Sequence, residues 1–319
     1  MKFKKLVVLD NILLSNEQRS RLESCSEEII YYWSKSKSSS ETIQRLSGAD
    51  SCVSCWTELP REVFEKCPQL AYIGFWGHWF HHRIDAQAAQ EHNVVIDKVP
   101  DYATDAVSEI VFAGILERAR FLSKSYQDVR KGSFDYEYIK IGEERELPKT
   151  WLLKGKTLGI IGLGRIGKEV AKKGLYGFGM NVVYYSRTRN SEWENKGIRY
   201  KELDDLLRES DVISVHVGHD CEKELITRER IKLLKNGSLF VNTSVGSVVD
   251  EIALIDELKT GRISTFLDVY HKLPPRKELK DLPNVLLTYR KGWFTQESLR
   301  LKGDKLIENI EKYLSRSAL

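Results

Sequence analysis

The most restrictive feature of this 319-residue chain is a glycine-rich stretch that begins near its middle. Leu158 to Ile161 is a short apolar run, which is the composition of a buried parallel strand. Gly162, Gly164 and Gly167 follow in G-x-G-x-x-G spacing, and the next segment, Lys168 to Tyr176, has helical spacing. A second strand-like run comes after it. Strand, glycines, helix and strand in this order predict a dinucleotide-binding fold.

Each glycine of the motif meets a different need of a bound pyrophosphate. Gly162 allows the tight turn, Gly164 lets the backbone approach the pyrophosphate, and Gly167 lets the helix pack closely against the strand. Arg165 and Ile166 lie between the second and third glycines, and the amino terminus of the following helix offers N–H groups and a partial positive charge. These five residues are therefore the predicted phosphate-binding residues.

The second strand-like run, Asn181 to Tyr185, ends in Ser186, Arg187, Thr188 and Arg189. An NAD site expects Asp or Glu about 20 residues beyond the glycines, where the carboxylate accepts a hydrogen bond from the ribose 2′-hydroxyl. Two cations and two hydroxyls suit a 2′-phosphate instead, because guanidinium pairs bidentately with phosphate oxygens. The sequence thus favours NADP(H) over NAD(H), and the alternative is a solvated basic loop.

Composition and charge argue against several other classes of protein. The net charge of +4 is small and spread along the chain, and no basic patch interleaves with aromatic residues, so no nucleic-acid partner is expected. No apolar run approaches the roughly 20 residues of a membrane span. The amino-terminal run MKFKKLVVLD is too short for a signal peptide, so we expect a cytoplasmic protein. Cys52 and Cys55 form a lone C-x-x-C without a second pair at zinc spacing, so no metal is predicted and structural or free thiols are favoured.

The rest of the chain alternates strands and helices. Residues 1 to 101 predict a smaller flavodoxin-like α/β domain, in which Asn16 to Ile30 carries a helix. Residues 102 to 291 predict the Rossmann domain, opening with a long helix from Ala103 to Leu122. The polar, irregular stretch Ser123 to Trp151 has aromatic residues to bury, which indicates an arm. Residues 292 to 319, with an amphipathic helix from Gln296 to Leu314, are predicted to return to the first domain.

Several ordered motifs resemble the D-isomer-specific 2-hydroxyacid dehydrogenase family. Pro100 to Glu109 (PDYATDAVSE) resembles the family's P-x-x-x-T-x-x-V-A-E motif, and Leu153 to Gly159 resembles the segment that leads into the glycines. Later blocks fit at 210–217, 235–242, 248–253 and 267–269. The resemblance implies a Rossmann domain inserted in a smaller outer domain, a small-molecule substrate, and a homodimer built on the long helix and the arm. The ending SRTR is similar to that of the family's glyoxylate and hydroxypyruvate reductases, which use NADPH.

The resemblance also extends the set of expected cofactor contacts. It implies roles for Thr104, His216, Val217, Thr243 and Asp268, which lie within matching blocks. Asp268 would lie beside the nicotinamide carboxamide. His216 would lie near the adenine, where packing is a simpler role for it than catalysis.

Three positions depart from the family pattern inside blocks that otherwise match. The family's catalytic Arg, Glu and His fall at Val245, Leu273 and Arg290 in this chain. A family member reduces a 2-keto acid with a cation for the substrate anion, a proton donor and a carboxylate that orients the donor. Val245 cannot bind a carboxylate, and the guanidinium of Arg290 stays protonated near neutral pH.

Three hypotheses follow from these departures. In the first, the chain is a rearranged oxidoreductase in which Arg290 anchors an anion and His78, His81 or His271 supplies the proton. In the second, the chain is a catalytically inactive NADP(H)-binding protein with a regulatory or scaffold role. In the third, the substrate lacks a carboxylate and binds an apolar pocket built by the aromatic loop of residues 74–83, GFWGHWFHHR. For each histidine, a solvated or packing role is the alternative.

Overall fold

The computed structural model describes residues 1–132, 150–218, 221 and 224–316 of the chain. Helices alternate with strands throughout. The strands, in chain order, are β1 (Phe3–Val8), β2 (Ser26–Tyr31), β3 (Ser51–Ser54), β4 (Tyr72–Phe75), β5 (Val95–Lys98), β6 (Thr157–Ile161), β7 (Asn181–Tyr185), β8 (Arg199–Tyr200), β9 (Val212–Val215), β10 (Leu239–Asn242), β11 (Ser264–Leu267) and β12 (Val285–Leu287). The helices are α1 (Asn16–Ser24), α2 (Ser39–Arg45), α3 (Arg61–Lys66), α4 (Ala86–Glu91), α5 (Thr104–Arg120), α6 (Leu122–Arg130), α7 (Arg165–Lys172), α8 (Ser191–Glu194), α9 (Leu203–Glu209), α10 (Arg228–Lys232), α11 (Glu251–Lys259), α12 (Lys277–Asp281) and α13 (Gln296–Arg316).

The chain divides into two compact units. The outer unit comprises Met1–Ala103 and Phe294–Leu319, and the central unit comprises Thr104–Trp293. The sequence had placed the two crossings at 101/102 and 291/292, two residues earlier in each case. Within the described ranges, no helix has the length and apolar character needed to cross a membrane.

The outer unit is built on a five-stranded parallel sheet in the order β2-β1-β3-β4-β5. This is the flavodoxin-like strand order that the sequence predicted. The strands β3 and β4 are buried along their whole length, as strands covered by helices on both faces must be. On one face, Leu306, Ile307 and Ile310 of α13 join the apolar core.

The helix predicted over Asn16 to Ile30 is wrong beyond Ser24. The helix α1 begins at a capping box, in which Ser15 Oγ accepts from the backbone of Gln18 and the side chain of Gln18 accepts from the backbone of Ser15. The chain then turns at Cys25 and forms β2, which pairs in parallel with β1. Because β2 is an edge strand with exposed glutamates, its composition does not differ clearly from that of an amphipathic helix.

The central unit is built on a seven-stranded parallel sheet in the order β12-β11-β10-β9-β6-β7-β8. Of the apolar runs predicted as strands, β6 lies between β9 and β7, and β7 lies next to the short edge strand β8. The strand order confirms a Rossmann-type α/β class. The helix α7 begins at Arg165, three residues before the predicted start at Lys168, and after Lys172 the chain continues as a π-helical turn over Lys173–Gly177.

The stretch interpreted as an irregular arm begins with a helix instead. The helix α6 covers Leu122–Arg130, and none of its residues is buried. Its exposed apolar residues Leu122, Tyr126 and Val129 recur at helical spacing on one side. Residues 133–149 of the predicted arm lie outside the described residues.

Candidate functional site

The glycine motif forms a turn between β6 and α7 that leaves no room for side chains at two of its three positions. Gly162 has a φ of +97°, and a Cβ there would lie 2.4 Å from the carbonyl oxygen of His216. A Cβ on Gly167 would lie 2.1 Å from the carbonyl oxygen of Gly162. A Cβ on Gly164 would meet no atom within 4 Å, so this residue faces open space. Open space beside the first turn of α7 fits the approach of a pyrophosphate.

A cavity of about 510 Å³ adjoins this turn within the central unit. It brings together Gly162, Gly164, Ser186, Arg187, Thr188, Arg189, His216 and Val217 from the predicted set. Its further lining residues are Leu163, Tyr185, Asn190, Gly218, Cys221 and Leu225, which sequence reasoning did not select. All but Cys221 and Leu225 are next in sequence to a predicted residue, so including the immediate neighbours of each predicted residue would have found them. The predicted residues Arg165, Ile166 and Gly167 belong to α7, and Thr104, Thr243 and Asp268 do not line this cavity.

The basic segment after β7 forms one wall of the cavity. Arg189 pairs with Glu194 of α8, with Nη2 2.5 Å from Oε2, and its guanidinium lies over the ring of Tyr200. The hydrogen bond from Arg189 lowers the pKa of the Glu194 carboxyl. Arg187 is exposed on the same wall. A phosphate at this wall would therefore compete with Glu194 for Arg189 and meet Arg187 beside it.

His216 is buried in the wall formed by the end of β9, and its Nε2 lies 2.8 Å from Ser214 Oγ. Burial lowers the pKa of His216 to about 3, so its imidazole is neutral at physiological pH. Its buried Nδ1 has no hydrogen-bond partner among the described residues. A neutral ring in this position suits contact with an uncharged base and does not suit acid catalysis.

Asp268 ties together the loops that follow β11 and β12. Its carboxylate accepts from Thr288 Oγ1 at 2.6 Å and from the backbone N–H groups of Lys291 and Gly292 at 3.0 Å each. Its carbonyl oxygen accepts from the backbone N–H of Arg290 at 2.9 Å. Arg290 is exposed and has a φ of +57°, a left-handed conformation that is uncommon outside glycine. Asp268 thus fixes the backbone from which Arg290 extends.

Val245 and Leu273, the other two positions at which the sequence departs from the expected family pattern, have different surroundings. Val245 is buried in the apolar core of the central unit, and its carbonyl oxygen accepts from Asn242 Nδ2 at 2.9 Å. Leu273 is 60% exposed, and His271 is exposed two residues before it. The backbone N–H of His271 donates to Glu251 Oε2 at 3.2 Å.

Comparison with known proteins agrees with this geometry. The model of the family "D-isomer specific 2-hydroxyacid dehydrogenase, NAD binding domain" matches residues 112–289. A hydroxypyruvate reductase of Blautia hydrogenotrophica is 31% identical over an alignment of 328 residues that covers 98% of each chain. A glyoxylate reductase of Pyrococcus horikoshii is 38% identical over 254 residues, 77% of this chain and 74% of that protein.

This chain belongs to the D-isomer-specific 2-hydroxyacid dehydrogenase family. Among solved structures, an acyclic imino acid reductase in complex with NADPH and D-Arg superposes with a TM-score of 0.84 at 27% identity. That alignment covers 98% of this chain and 97% of the other. The central unit is accordingly the NAD(P)-binding domain of a 2-hydroxyacid dehydrogenase.

The aromatic loop of residues 74–83 belongs to the outer unit. Its first two residues, Gly74 and Phe75, are the end of β4, and Trp76, which follows them, is 4% exposed. The ring of His78 contacts Trp79 edge-on, with centroids 5.2 Å apart, and the ring of His81 lies 4.2 Å from that of Phe80. His81 is exposed and His78 is half-buried. The loop therefore brings His78 and His81 together with aromatic side chains, whereas Arg290 and His271 belong to the central unit.

Proposed function

We propose that this 2-hydroxyacid dehydrogenase is an NADP(H)-dependent oxidoreductase that acts on the carbonyl or hydroxyl group of a small 2-oxo or 2-hydroxy acid. The observation that carries the proposal is the cavity beside the glycine turn, whose wall after β7 has Arg187 and Arg189 and, among the described residues that line it, no carboxylate. A carboxylate there would repel a 2′-phosphate, whereas guanidinium groups attract it. The relatives named as glyoxylate and hydroxypyruvate reductases support the substrate class.

In this proposal, the residues of the chain have the following roles. The turn at Gly162 and Gly164 and the amino terminus of α7 hold the pyrophosphate, and Arg187 and Arg189 hold the 2′-phosphate. The bound cofactor supplies or accepts the hydride. Arg290, held at its backbone by Asp268, anchors the substrate anion. The sequence leaves the proton donor open among His78, His81 and His271.

The first experiment measures cofactor binding and turnover separately. NADPH and NADH are titrated by fluorescence, and oxidation of NADPH is then followed with a panel of 2-oxo acids, aldehydes and imines. We expect NADPH to bind more tightly than NADH and at least one 2-oxo acid to be reduced. Turnover of aldehydes alone would favour a substrate without a carboxylate. Equal affinity for the two cofactors would contradict the assignment of the 2′-phosphate site.

Substitution of Arg187 tests that site directly. We expect Arg187→Ala to weaken NADPH binding by about 10- to 100-fold, since hydrogen bonds to charged groups contribute about 1.5–3 kcal/mol. NADH binding should change little. Glu194→Gln is the matched test of the neighbouring pair: it releases Arg189 and should strengthen NADPH binding. Equal losses for NADPH and NADH in Arg187→Ala would indicate a general distortion of the wall.

A second candidate function is a catalytically inactive NADP(H)-binding protein. Val245, Leu273 and Arg290 at the family's catalytic positions favour it, because none of these side chains is a neutral proton donor or a carboxylate. This function predicts tight NADPH binding without oxidation by any 2-oxo acid, aldehyde or imine of the panel.

We also propose that the chain forms a homodimer through the region that contains α5 and α6. The exposed apolar residues of α6, Leu122, Tyr126 and Val129, are 58%, 61% and 54% exposed. Apolar side chains in one stripe are typical of a surface that another chain covers. Light scattering after size-exclusion chromatography should give twice the mass of one chain, and Leu122→Glu with Tyr126→Glu should give a monomer.

A further inference from the structure

The cavity beside the glycine turn is lined by a thiol as well as by cations. Cys221 lines this cavity of about 510 Å³ together with Arg187 and Arg189. It lies between the end of β9 and the isolated bridge formed by Ile226, and its side chain is half-buried. A partly exposed thiol in the wall of a ligand cavity is placed to react with a molecule that enters the cavity.

A buried polar atom in the same cavity wall indicates that the cavity is made for a polar occupant. His216 lines the cavity and is 8% exposed, and its Nε2 lies 2.8 Å from Ser214 Oγ. Its Nδ1 is buried and has no hydrogen-bond partner among the residues that the structure describes. Buried polar atoms of native proteins are nearly always paired with protein groups, ordered water or a ligand. This unpaired nitrogen is independent of the thiol and points to a bound molecule in the cavity that Cys221 lines.

Cys221 differs from the other four cysteines of the chain in its access to dissolved molecules. All five are reduced, and Cys25, Cys52 and Cys67 are buried. Burial raises the pKa of each of these three thiols above its ordinary value. Burial also raises the pKa of Cys55, in the outer unit, to about 11, so its reactive thiolate form is scarce near neutral pH. Cys221 is therefore the cysteine that a small dissolved reagent should reach first.

The cations of the cavity determine which reagent suits this thiol. The described lining residues include the guanidinium groups of Arg187 and Arg189 and no carboxylate, and Glu194, the partner of Arg189, is not among them. A cavity lined by cations raises the local concentration of anions, and nearby cations favour the thiolate form of a cysteine. The thiolate is the form that attacks a disulfide. An anionic disulfide of low molecular mass therefore suits Cys221 better than a cationic one.

We propose that Cys221 is a redox-modification site at which an anionic disulfide of low molecular mass controls entry of the nucleotide. The proposal rests on the nucleotide binding proposed above for this cavity. The Cys221 thiolate attacks one sulfur of the disulfide, so that a new S–S bond forms and the old S–S bond breaks. The second sulfur leaves with the electron pair of the broken bond and takes up the proton that the Cys221 thiol has lost. Cys221 is thereby oxidised and the leaving sulfur reduced, and a thiol reverses the step.

A group attached to Cys221 competes with the nucleotide for one space. A cavity of about 510 Å³ lies within the range of roughly 300–1,000 Å³ that encloses a single drug-sized ligand. The attached group would bring its own negative charge to the guanidinium groups that are proposed to hold the 2′-phosphate. The competition is mutual, because a coupling between two binding events acts equally in both directions. Bound NADPH should therefore protect Cys221, and modification of Cys221 should exclude NADPH.

The experiment compares the wild-type protein with Cys221→Ser and with Cys55→Ser, the matched control. Each protein is treated with glutathione disulfide, an anionic tripeptide disulfide, in the presence and absence of saturating NADPH. Mass spectrometry of the intact proteins and of their peptides gives the number and position of the attached groups. NADPH titration gives the affinity before treatment, after treatment and after reduction with dithiothreitol, and the untreated affinity of each variant is its own reference. Rates of modification are also measured with cystamine, a cationic disulfide, as the salt concentration is raised.

We expect one glutathionyl group on Cys221 in the wild type and in Cys55→Ser. These modified proteins should bind NADPH about tenfold more weakly or worse, and dithiothreitol should restore their affinity. Treatment should not change the affinity of Cys221→Ser from its own untreated value. Bound NADPH should slow the modification about tenfold or more. Added salt should slow the reaction with glutathione disulfide and not that with cystamine, because salt screens the attraction between anions and the two arginines.

Four results would count against this proposal. Modification of Cys55 in place of Cys221, or of no cysteine, overturns it. A modified Cys221 with unchanged NADPH affinity overturns the control of the cavity and leaves the NADP(H)-dependent function standing. A reaction with glutathione disulfide that salt does not slow overturns the preference for anionic disulfides. An untreated wild-type protein that binds neither NADPH nor NADH overturns the nucleotide site, and with it the regulation that rests on that site.

Discussion

Gly164 and Gly167 belong to one motif, yet their substitutions should fail in different ways. Gly164 has extended backbone angles (φ −75°, ψ −165°) and open space where its Cβ would stand, whereas a Cβ on Gly167 would collide with the carbonyl of Gly162. We expect Gly164→Val to keep stability to within about 1 kcal/mol, the scale of helix-cap effects, and to abolish NADPH binding. Gly167→Ala should cost about 1–3 kcal/mol, as overpacking does. Urea denaturation and NADPH titration of both variants check this, and a stable Gly167→Ala would contradict it.

Lys302 of α13, which is 3% exposed, should lower the free energy of unfolding of the protein. Its pKa falls from 10.5 in the unfolded chain to about 8 in the folded protein, which corresponds to a cost of about 3 kcal/mol below pH 8. Between pH 8 and pH 10.5 the unfolded chain binds more protons than the folded one, so stability should rise over this range. Lys302→Met should be more stable than the wild type at pH 7 and lack this rise. Urea denaturation at pH 7 and pH 9.5 measures both effects, and a less stable Lys302→Met at pH 7 would argue against a buried ammonium.

At the scale of the elements, the loops after β11 and β12 are held together by one buried side chain, that of Asp268. The carboxylate of Asp268 accepts from one hydroxyl and two backbone N–H groups, and it is 3% exposed. In Asp268→Asn, an amide NH₂ would face at least one of these donors and leave it unsatisfied. We expect a loss of about 3 kcal/mol in the free energy of unfolding, because buried unsatisfied groups cost about 1–3 kcal/mol each and more when charge is lost. Thr288→Val, which removes only the hydroxyl donor, is the control and should cost less than Asp268→Asn in the same denaturation experiment.

Element prediction from the sequence succeeded where periodicity and glycines agree and failed where they do not. The sequence predicts Asn181 to Tyr185 with the limits that β7 has, because four of its five residues are apolar or aromatic and Val182, Val183 and Tyr184 are buried. The sequence predicts a helix over most of the edge strand β2, because the exposed residues of this strand hide the alternation of buried and exposed positions. The buried Lys302 can be recognised in the sequence, since a lysine four residues before Leu306 interrupts the apolar stripe of α13. An amphipathic pattern tolerates one such interruption, so the pattern alone did not select it.

For the molecule as a whole, the strand order of both sheets followed from the predicted fold classes, whereas the contacts of α13 did not. The side chain of Gln18 donates to the carbonyl of Arg300 and to Asp304 Oδ1, which joins segments almost 300 residues apart within the outer unit. The spacing of apolar residues in α13 predicts a buried face but not its partner. The residues around the cavity beside the glycine turn are easier to group from the sequence, because they lie at the ends of adjacent strands of one sheet.

The placement of this cavity within one unit leads to a prediction about the stability of the molecule. Every residue that lines it belongs to Thr104–Trp293, so bound NADPH should stabilise that unit. At 100 times its Kd, a ligand that binds only the folded state adds about 2.7 kcal/mol to the free energy of unfolding. Hydrogen exchange followed by mass spectrometry should show this protection in peptides from β6, β7 and β9, with peptides from Met1–Ala103 as the internal comparison. The protection should be absent from Gly164→Val and weaker with NADH at the same concentration, because NADH lacks the phosphate that Arg187 would bind. Equal protection by the two nucleotides would mean that the basic wall after β7 does not recognise the 2′-phosphate.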